Sequence, residues 1–385
     1  MNLLTKQILM NFIVSSSYLL KNLSSISGVI TSNPVVPILE NVLFEIENGN
    51  LLITASDLQT SVMVELQVES KENGSVAIPA KILIDTLKNL PEQPVTFSID
   101  ENNYNIEINS DNGRYKLAGE NSADFPKVPE ISDGYSFTVN ANILALAIGN
   151  TIFSTSTDEL RPAMTGVFFR LSSNSCTFVS TDGHRLVKYI RTDISGDEVD
   201  HDMIIPRKSL NLLKTIIPSD DKNDINIEFN ASNAFFSNDN IKLVCRLIDE
   251  RYPDYENVIP SDNSNSIEVD KSEILSSLKR ISIYANKTTN QVRLKVSGSE
   301  ILISAEDLDF SNEANERISC EHDGDDIEIG FNAKFLIEIL SNIHSDKVIF
   351  KLSEPNRAGL VLPEDIEDEE DLTMLVMPVM LNDNA

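Results

Sequence analysis

Val179-Ser180-Thr181-Asp182-Gly183-His184-Arg185-Leu186 is the stretch from which the fold can be read. An apolar run, Cys176 to Val179, has strand character and leads into an Asp-Gly turn, after which come a histidine, an arginine and a second apolar run. The stretch has two echoes. Leu52-Ile53-Thr54-Ala55-Ser56-Asp57-Leu58 lies upstream and Leu302-Ile303-Ser304-Ala305-Glu306-Asp307-Leu308 downstream, so Asp57, Asp182 and Asp307 stand 125 residues apart. Two more landmarks keep nearly that period. Pro79-Ala80-Lys81, Pro206-Arg207-Lys208 and Asn332-Ala333-Lys334 each open an apolar-periodic segment, and Phe125-Pro126, Tyr252-Pro253 and Met377-Pro378 each close a unit. Three independent landmarks at one period specify three tandem units.

The 385 residues divide into an N-terminal extension, 1–9, and units at 10–133, 134–260 and 261–385. With 41% hydrophobic residues, each unit can bury a core of its own. No run of 18 apolar residues suggests a membrane span, and no basic flank followed by an apolar core suggests a leader. Three scattered cysteines, Cys176, Cys245 and Cys320, fit a reducing cytoplasm better than a disulfide framework.

Each unit reads as strand, helix, strands, helix, strands, which predicts an α+β fold of two helices and antiparallel sheet, three times over. The first helices are expected over Ser15–Ser27, Val139–Ser154 and Asp270–Lys287, the second over Pro79–Leu90, Pro206–Pro218 and Asn332–Ile343. Pro79 and Pro206 suit a first helical turn. Runs such as Val95–Ile99, Ile225–Phe229 and Lys347–Leu352 alternate as strands do, while Glu130–Asp133 and Pro260–Ser266 suit linkers. The charge is unevenly spread. The six helix candidates carry a net +7 in a chain of net −29, so the rest holds −36. Lysines and arginines on helices, without interleaved aromatics, suit attraction to phosphates rather than base reading.

In these motifs the chain resembles the bacterial sliding clamp family, the beta subunit of DNA polymerase III. The resemblance rests on Pro34-Val35-Val36-Pro37-Ile38-Leu39, Ala123-Asp124-Phe125-Pro126, Thr181 to Leu186, Pro206-Arg207-Lys208, Arg251-Tyr252-Pro253-Asp254-Tyr255, Gly330-Phe331-Asn332 and Val376-Met377-Pro378-Val379-Met380-Leu381, in family order from Met10 to Leu381. It implies the DNA clamp fold and a head-to-tail homodimer, a ring with helices inside and sheets outside. Such a ring holds duplex DNA without reading its sequence, as a non-catalytic, cofactor-free processivity factor in the cytoplasm.

By position, the resemblance implies DNA contacts at Asn33, Lys81, Asp158, Pro162 and Ala163, of which only Lys81 is basic. The expectation therefore rests more on Lys81, Arg207, Lys208, Lys214, Lys279 and Arg280. It implies a dimer junction with Tyr115 on one side and Ile283 and Tyr284 on the other. It also implies a groove for linear motifs of polymerase, clamp loader and repair proteins, built from Met164, Thr181, Gly183, His184, Arg185, Leu186, Pro253 and Val258. Asn332, Phe335, Asn356, Ala358, Leu375, Val376, Met377, Pro378, Val379 and Met380 complete it. Methionines and aliphatics suit an adaptable apolar pocket, with His184 and Arg185 expected on its polar rim. The tail Asn382–Ala385 and the acidic run from Glu364 to Asp371 depart from the family pattern; that run is expected as a solvated loop, with tuning of peptide access to the groove as the alternative.

Rival readings are poorer. Asp182 beside His184 hints at a hydrolase, but no Gly-x-Ser-x-Gly or placed cysteine supplies a nucleophile. Cys320-Glu321-His322 lacks the paired spacing of a zinc site, and no Gly-rich phosphate loop occurs. The alternative that remains is a repeat-built protein-interaction scaffold that does not encircle DNA.

Overall fold

The computed structural model describes residues 9–32, 34–131, 133–196, 200–217 and 223–381. The expectations placed on residues 1–8, Asn33, Pro218 and the tail Asn382–Ala385 lie outside them. Among the described residues are six α-helices, two per repeat: α1 (Ser16–Ile26), α2 (Ala80–Lys88), α3 (Ala141–Ile152), α4 (Arg207–Ile216), α5 (Lys271–Ile281) and α6 (Ala333–Ser341). Each lies inside its expected span.

Local chemistry sets their ends. Asp270 Oδ1 accepts the Glu273 N–H at 2.8 Å to start α5, and Asn332 Oδ1 accepts that of Lys334 at 3.0 Å to start α6. Helical spacing then buries Leu19, Leu23 and Ile26 on α1 and Ile274, Leu278 and Ile281 on α5. Pro79 and Pro206 do not sit in the first turn. Each instead ends the strand before α2 or α4, opposite Asn41 and Gly166 in the ladder. Proline suits that hand-over because the chain leaves the ladder there and the missing N–H goes unused. The first strand begins at Leu9, and the supposed linker at Pro260–Ser266 already enters a strand at Asn265.

Contacts gather the chain into two compact units that follow the sheets rather than the repeats. The first comprises the described residues through Ile143 with Lys208–Leu247; the second comprises Leu144–Arg207 and the described residues from Ile248 onward. In the first unit an eight-stranded sheet runs Tyr135–Asn140, Asp224–Phe229, Asn233–Ser237, Ile241–Arg246, Thr60–Gln67, Asn50–Ser56, Asn41–Glu47, Gly74–Pro79. A five-stranded sheet beside it ends on Arg114–Ala118. In the second unit a nine-stranded sheet passes from His201–Pro206 through Arg185–Arg191 and Glu370–Val376 to Glu321–Asp323, and a four-stranded sheet ends on Asn312–Ser319. The recorded strand pairs are antiparallel.

Two of those pairs join repeats. Ile241–Arg246, the last strand of the second repeat, lies on Thr60–Gln67 of the first with Cys245 opposite Thr60. Glu370–Val376, the last strand of the third, lies on Arg185–Arg191 of the second with Val376 opposite Arg185. Thr60 and Arg185 both stand three residues after a turn aspartate, so one joint is made twice.

Aromatic side chains fill the core. Phe12 stacks on Phe97 at 4.6 Å in the first unit, and Phe169 meets Phe178 edge-on at 4.6 Å in the second. Cys176, Cys245 and Cys320 are buried free thiols; burial pushes Cys245 up to about 12, which leaves it unreactive.

Candidate functional site

The three turn aspartates do one job. Asp182 Oδ1 accepts the N–H groups of His184 (2.8 Å) and Arg185 (3.0 Å), and Asp57 Oδ1 those of Gln59 (2.9 Å) and Thr60 (2.6 Å). Asp307 Oδ1 accepts that of Asp309 at 3.2 Å. A short carboxylate bonding its own backbone two or three residues on makes a tight turn. Asp182 is thereby occupied with the backbone, and the His184 ring stacks on Phe335 at 6.0 Å, so the two do not form a catalytic pair. Among the described residues no three His, Cys, Asp or Glu side chains converge as metal ligands.

Around the Asp182 turn the second unit brings several of the expected groove residues together. Leu186, Ala358 and Leu375 form a buried cluster with Phe168, Val179, Ile204, Tyr252, Tyr255 and Leu360. Phe168 stacks on Tyr252 at 4.9 Å, and the Tyr252 hydroxyl donates to the Val179 carbonyl. Val376 is buried opposite Arg185, and the Met377 N–H donates to the His184 carbonyl at 2.8 Å. Met377 and Met380 project outward, while Pro378 and Val379 are half-buried, with the Val379 N–H on the Gly330 carbonyl. Met164 is half-buried at the end of the Asp158–Met164 turn, and Val258 is exposed one turn beyond the half-buried Pro253. Thr181 Oγ1 donates to the Arg185 carbonyl and accepts from Gly183 N–H. Asn356 is exposed, and Asn332 caps α6.

Arg185 departs from expectation. Rather than standing on the rim, its guanidinium is buried in a clasp. It pairs with Asp182 (3.1 Å) and Glu338, donates to the Phe153 carbonyl (2.9 Å), and lies 4.8 Å from the Phe335 ring centre. The planar fork can satisfy all of these partners together, which a solvated rim residue would not need. His184 and Gly183 remain exposed.

The acidic run is an exposed loop from Glu364 to Glu369, as expected, but not to its end. Its last two residues belong to the final strand, and Glu370 pairs with the buried Arg191 at the opposite end of the ladder from Arg185. Six residues along a strand is about 20 Å, too far for direct control of the groove.

The basic candidates fall into two groups. Lys81, Lys214 and Lys279 are exposed on α2, α4 and α5, and among the described residues no carboxylate lies within ion-pair distance of them. Lys208 pairs with Asp57, and Arg280 pairs with Glu316 at 2.6 Å. Arg207 is half-buried. Asp158 is held below the ordinary carboxylate range by the Leu160 N–H and by Arg161. Pro162 is exposed, and Ala163 packs on the apolar cluster under the groove instead of standing free for a phosphate. Of the junction candidates, Tyr115 is half-buried on the edge strand Arg114–Ala118. Ile283 and Tyr284 are exposed beside α5.

Residues 10–129, 138–254 and 256–380 match, in order, the N-terminal, central and C-terminal domains of the DNA polymerase III beta subunit. The chain belongs to that family, the bacterial sliding clamps. The beta sliding clamps of Vibrio cholerae and Haemophilus influenzae are 27% and 29% identical to it, each over 97% of this chain and 100% of the relative. The crystal structure of the DNA polymerase III subunit beta from Pseudomonas aeruginosa aligns with a TM-score of 0.92 at 27% identity, covering 97% of this chain and 100% of that one. The sliding clamp from Bartonella birtlesii bound to griselimycin aligns at 0.91 and 28% identity, with the same coverage. The fold is therefore three clamp domains, and the function is that of a DNA sliding clamp for DNA polymerase III, a processivity subunit without catalytic chemistry.

Sequence reasoning missed part of the site. Phe153 and Glu338 hold Arg185 from far along the chain, and no local pattern announces them. Tyr252 and Tyr255 lie in Arg251-Tyr252-Pro253-Asp254-Tyr255, and two aromatics three residues apart are the available signal.

Proposed function

We propose that residues 10–133, 134–260 and 261–385 are the three clamp domains and that two chains close head to tail into a ring around duplex DNA. One observation carries this reading: the same strand joint occurs twice, leaving one strand of each kind on an open edge. Arg114–Ala118 is the first domain's last strand and ends the five-stranded sheet; Asn312–Ser319 follows the third turn aspartate and ends the four-stranded sheet. Pairing the first with the second of a partner makes the joint again, and two chains do so twice with neither of these strands left on an edge. Charge supports it: Lys116 lies on one strand and Glu313 on the other.

The helix contact repeats as well. Ser209 of α4 lies 2.8 Å from Thr60, and Phe335 of α6 faces Arg185. Ile82 of α2 holds the place of Ser209 and Phe335, and Phe310 that of Thr60 and Arg185. Ile82 is 55% and Phe310 72% exposed, so Ile82 meets the partner subunit's Phe310, with Leu308, Ile283 and Tyr284 around it. Within the ring, Lys81, Lys214 and Lys279 attract phosphates, and the apolar groove around Leu186, Leu375 and Met377 takes linear motifs from polymerase, clamp loader and repair proteins.

The test is mass in solution together with retention on DNA. A dimer that stays on a nicked circle after loading and leaves once the circle is cut supports the ring. A monomer at every concentration, or retention indifferent to DNA ends, overturns it.

A further inference from the structure

The first repeat junction carries a cavity where the second carries the groove. We propose that this cavity, wholly within the first compact unit, is a second ligand site, taking a short extended peptide segment that bears a carboxylate. The proposal rests on the groove reading above and extends it to a ligand of different chemistry.

The cavity has a volume of about 300 Å³, and its lining includes Leu58, Gln59, Ser61, Asn233, Val244 and Arg246. Backbone geometry fixes the correspondence with the groove. The Arg246 N–H donates to the Gln59 carbonyl at 2.8 Å, as the Met377 N–H does to the His184 carbonyl at 2.8 Å. Cys245 lies opposite Thr60 as Val376 lies opposite Arg185, and Ala234 lies opposite Cys245 as Gly359 lies opposite Val376. Counting out from these anchors, Leu58, Gln59 and Ser61 hold the places of Gly183, His184 and Leu186. Asn233, Val244 and Arg246 hold those of Ala358, Leu375 and Met377. All six are counterparts of groove residues.

The backbone is shared; the side chains are not. Where the groove has leucine, alanine and methionine, the cavity has serine, asparagine and arginine, so a leucine or phenylalanine anchor would leave polar groups unpaired. Arg246 is part of the lining, and among the described residues its guanidinium has no carboxylate partner although the chain's net charge is −29. Its planar fork matches a carboxylate through two parallel hydrogen bonds. Gln59 and Asn233 can donate to and accept from a peptide backbone, while Leu58 and Val244 leave one aliphatic flank. The volume sits at the lower end for ligand sites, which suits two or three residues rather than a full linear motif.

The test uses full-length protein with labelled isoleucine, leucine and valine methyl groups, titrated with acetyl-Leu-Glu-amide and, separately, acetyl-Leu-Gln-amide. The glutamate peptide should move the Leu58 and Val244 resonances and leave those of Leu186 and Leu375 in place. Arg246→Gln should weaken that response at least ten-fold, Arg246→Lys should keep part of it, and an unchanged methyl spectrum elsewhere shows that both variants fold. No movement at millimolar peptide, equal movement with the glutamine peptide, indifference to Arg246→Gln, or a response to inorganic phosphate alone each overturns the proposal. A leucine-phenylalanine motif peptide added to the same sample reports on the groove through Leu186 and Leu375. Failure there, with success at Leu58, would sink the groove reading and leave the cavity site standing.

Discussion

Gly183 shows how much one residue sets at the groove. Its φ is +90°, in the region that favours glycine, and an added Cβ would come 2.9 Å from Arg161 Nη1. Gly183→Ala should cost about 1–2 kcal/mol of stability by urea unfolding and weaken groove-peptide binding, because the turn that positions His184 must shift. Leu58 occupies the same place in the first repeat at φ +74° and bears that strain with a side chain. Arg185 is the second sensitive residue. Arg185→Met removes the partner of Asp182, Glu338 and the Phe153 carbonyl at once, and should lower stability by about 2–3 kcal/mol. Arg185→Lys, with one point charge in place of a fork, should recover only part of that loss in the same unfolding measurement.

At the scale of elements, α5 carries both a cap and an exposed cation proposed to attract DNA. The Asp270 carboxyl is held below the ordinary aspartate range, first by the Ser272 hydroxyl and then by the Glu273 N–H. A folded-state pKa below the unfolded one stabilises above the unfolded value, and that contribution fades as pH falls through the folded value. Asp270→Ala should therefore cost about 1 kcal/mol at neutral pH, and the gap from the parent protein should close as pH drops below about 4 in denaturation series. At the other end of α5, Lys279 and Arg280 are adjacent but differently employed. Lys279→Ala should flatten the salt dependence of DNA binding by about one charge, whereas Arg280→Ala should change it less because Glu316 already neutralises that guanidinium. Binding isotherms across a range of salt concentrations decide between them. Equal slopes for the two variants would remove the distinction.

For the whole molecule, the proposed ring depends on a junction that the single chain leaves open. Ile82→Glu or Phe310→Glu would place a charge in an apolar contact and should convert dimer to monomer in sedimentation at micromolar concentration, with loss of retention on nicked circles. A dimer unaffected by both would move the junction elsewhere. Sequence alone determined the threefold repeat, the two helices per repeat and the turn role of the aspartates. These are set within a few residues, by period, capping and the reach of a short side chain to its own backbone. It also brought out the helix-borne positive charge, since that requires only counting. Tertiary structure decided what each charge and each edge does. Lys208 and Arg280 read as free cations until Asp57 and Glu316 arrive beside them, and Arg185 read as a rim residue until α6 supplied Glu338 and Phe335. The same holds for the cavity at Arg246, which exists only because the second repeat's last strand pairs with the first repeat. Apart from Arg280 with Glu316, such pairings join residues more than a hundred positions apart, and strand register and packing fix them without leaving a local trace in the sequence.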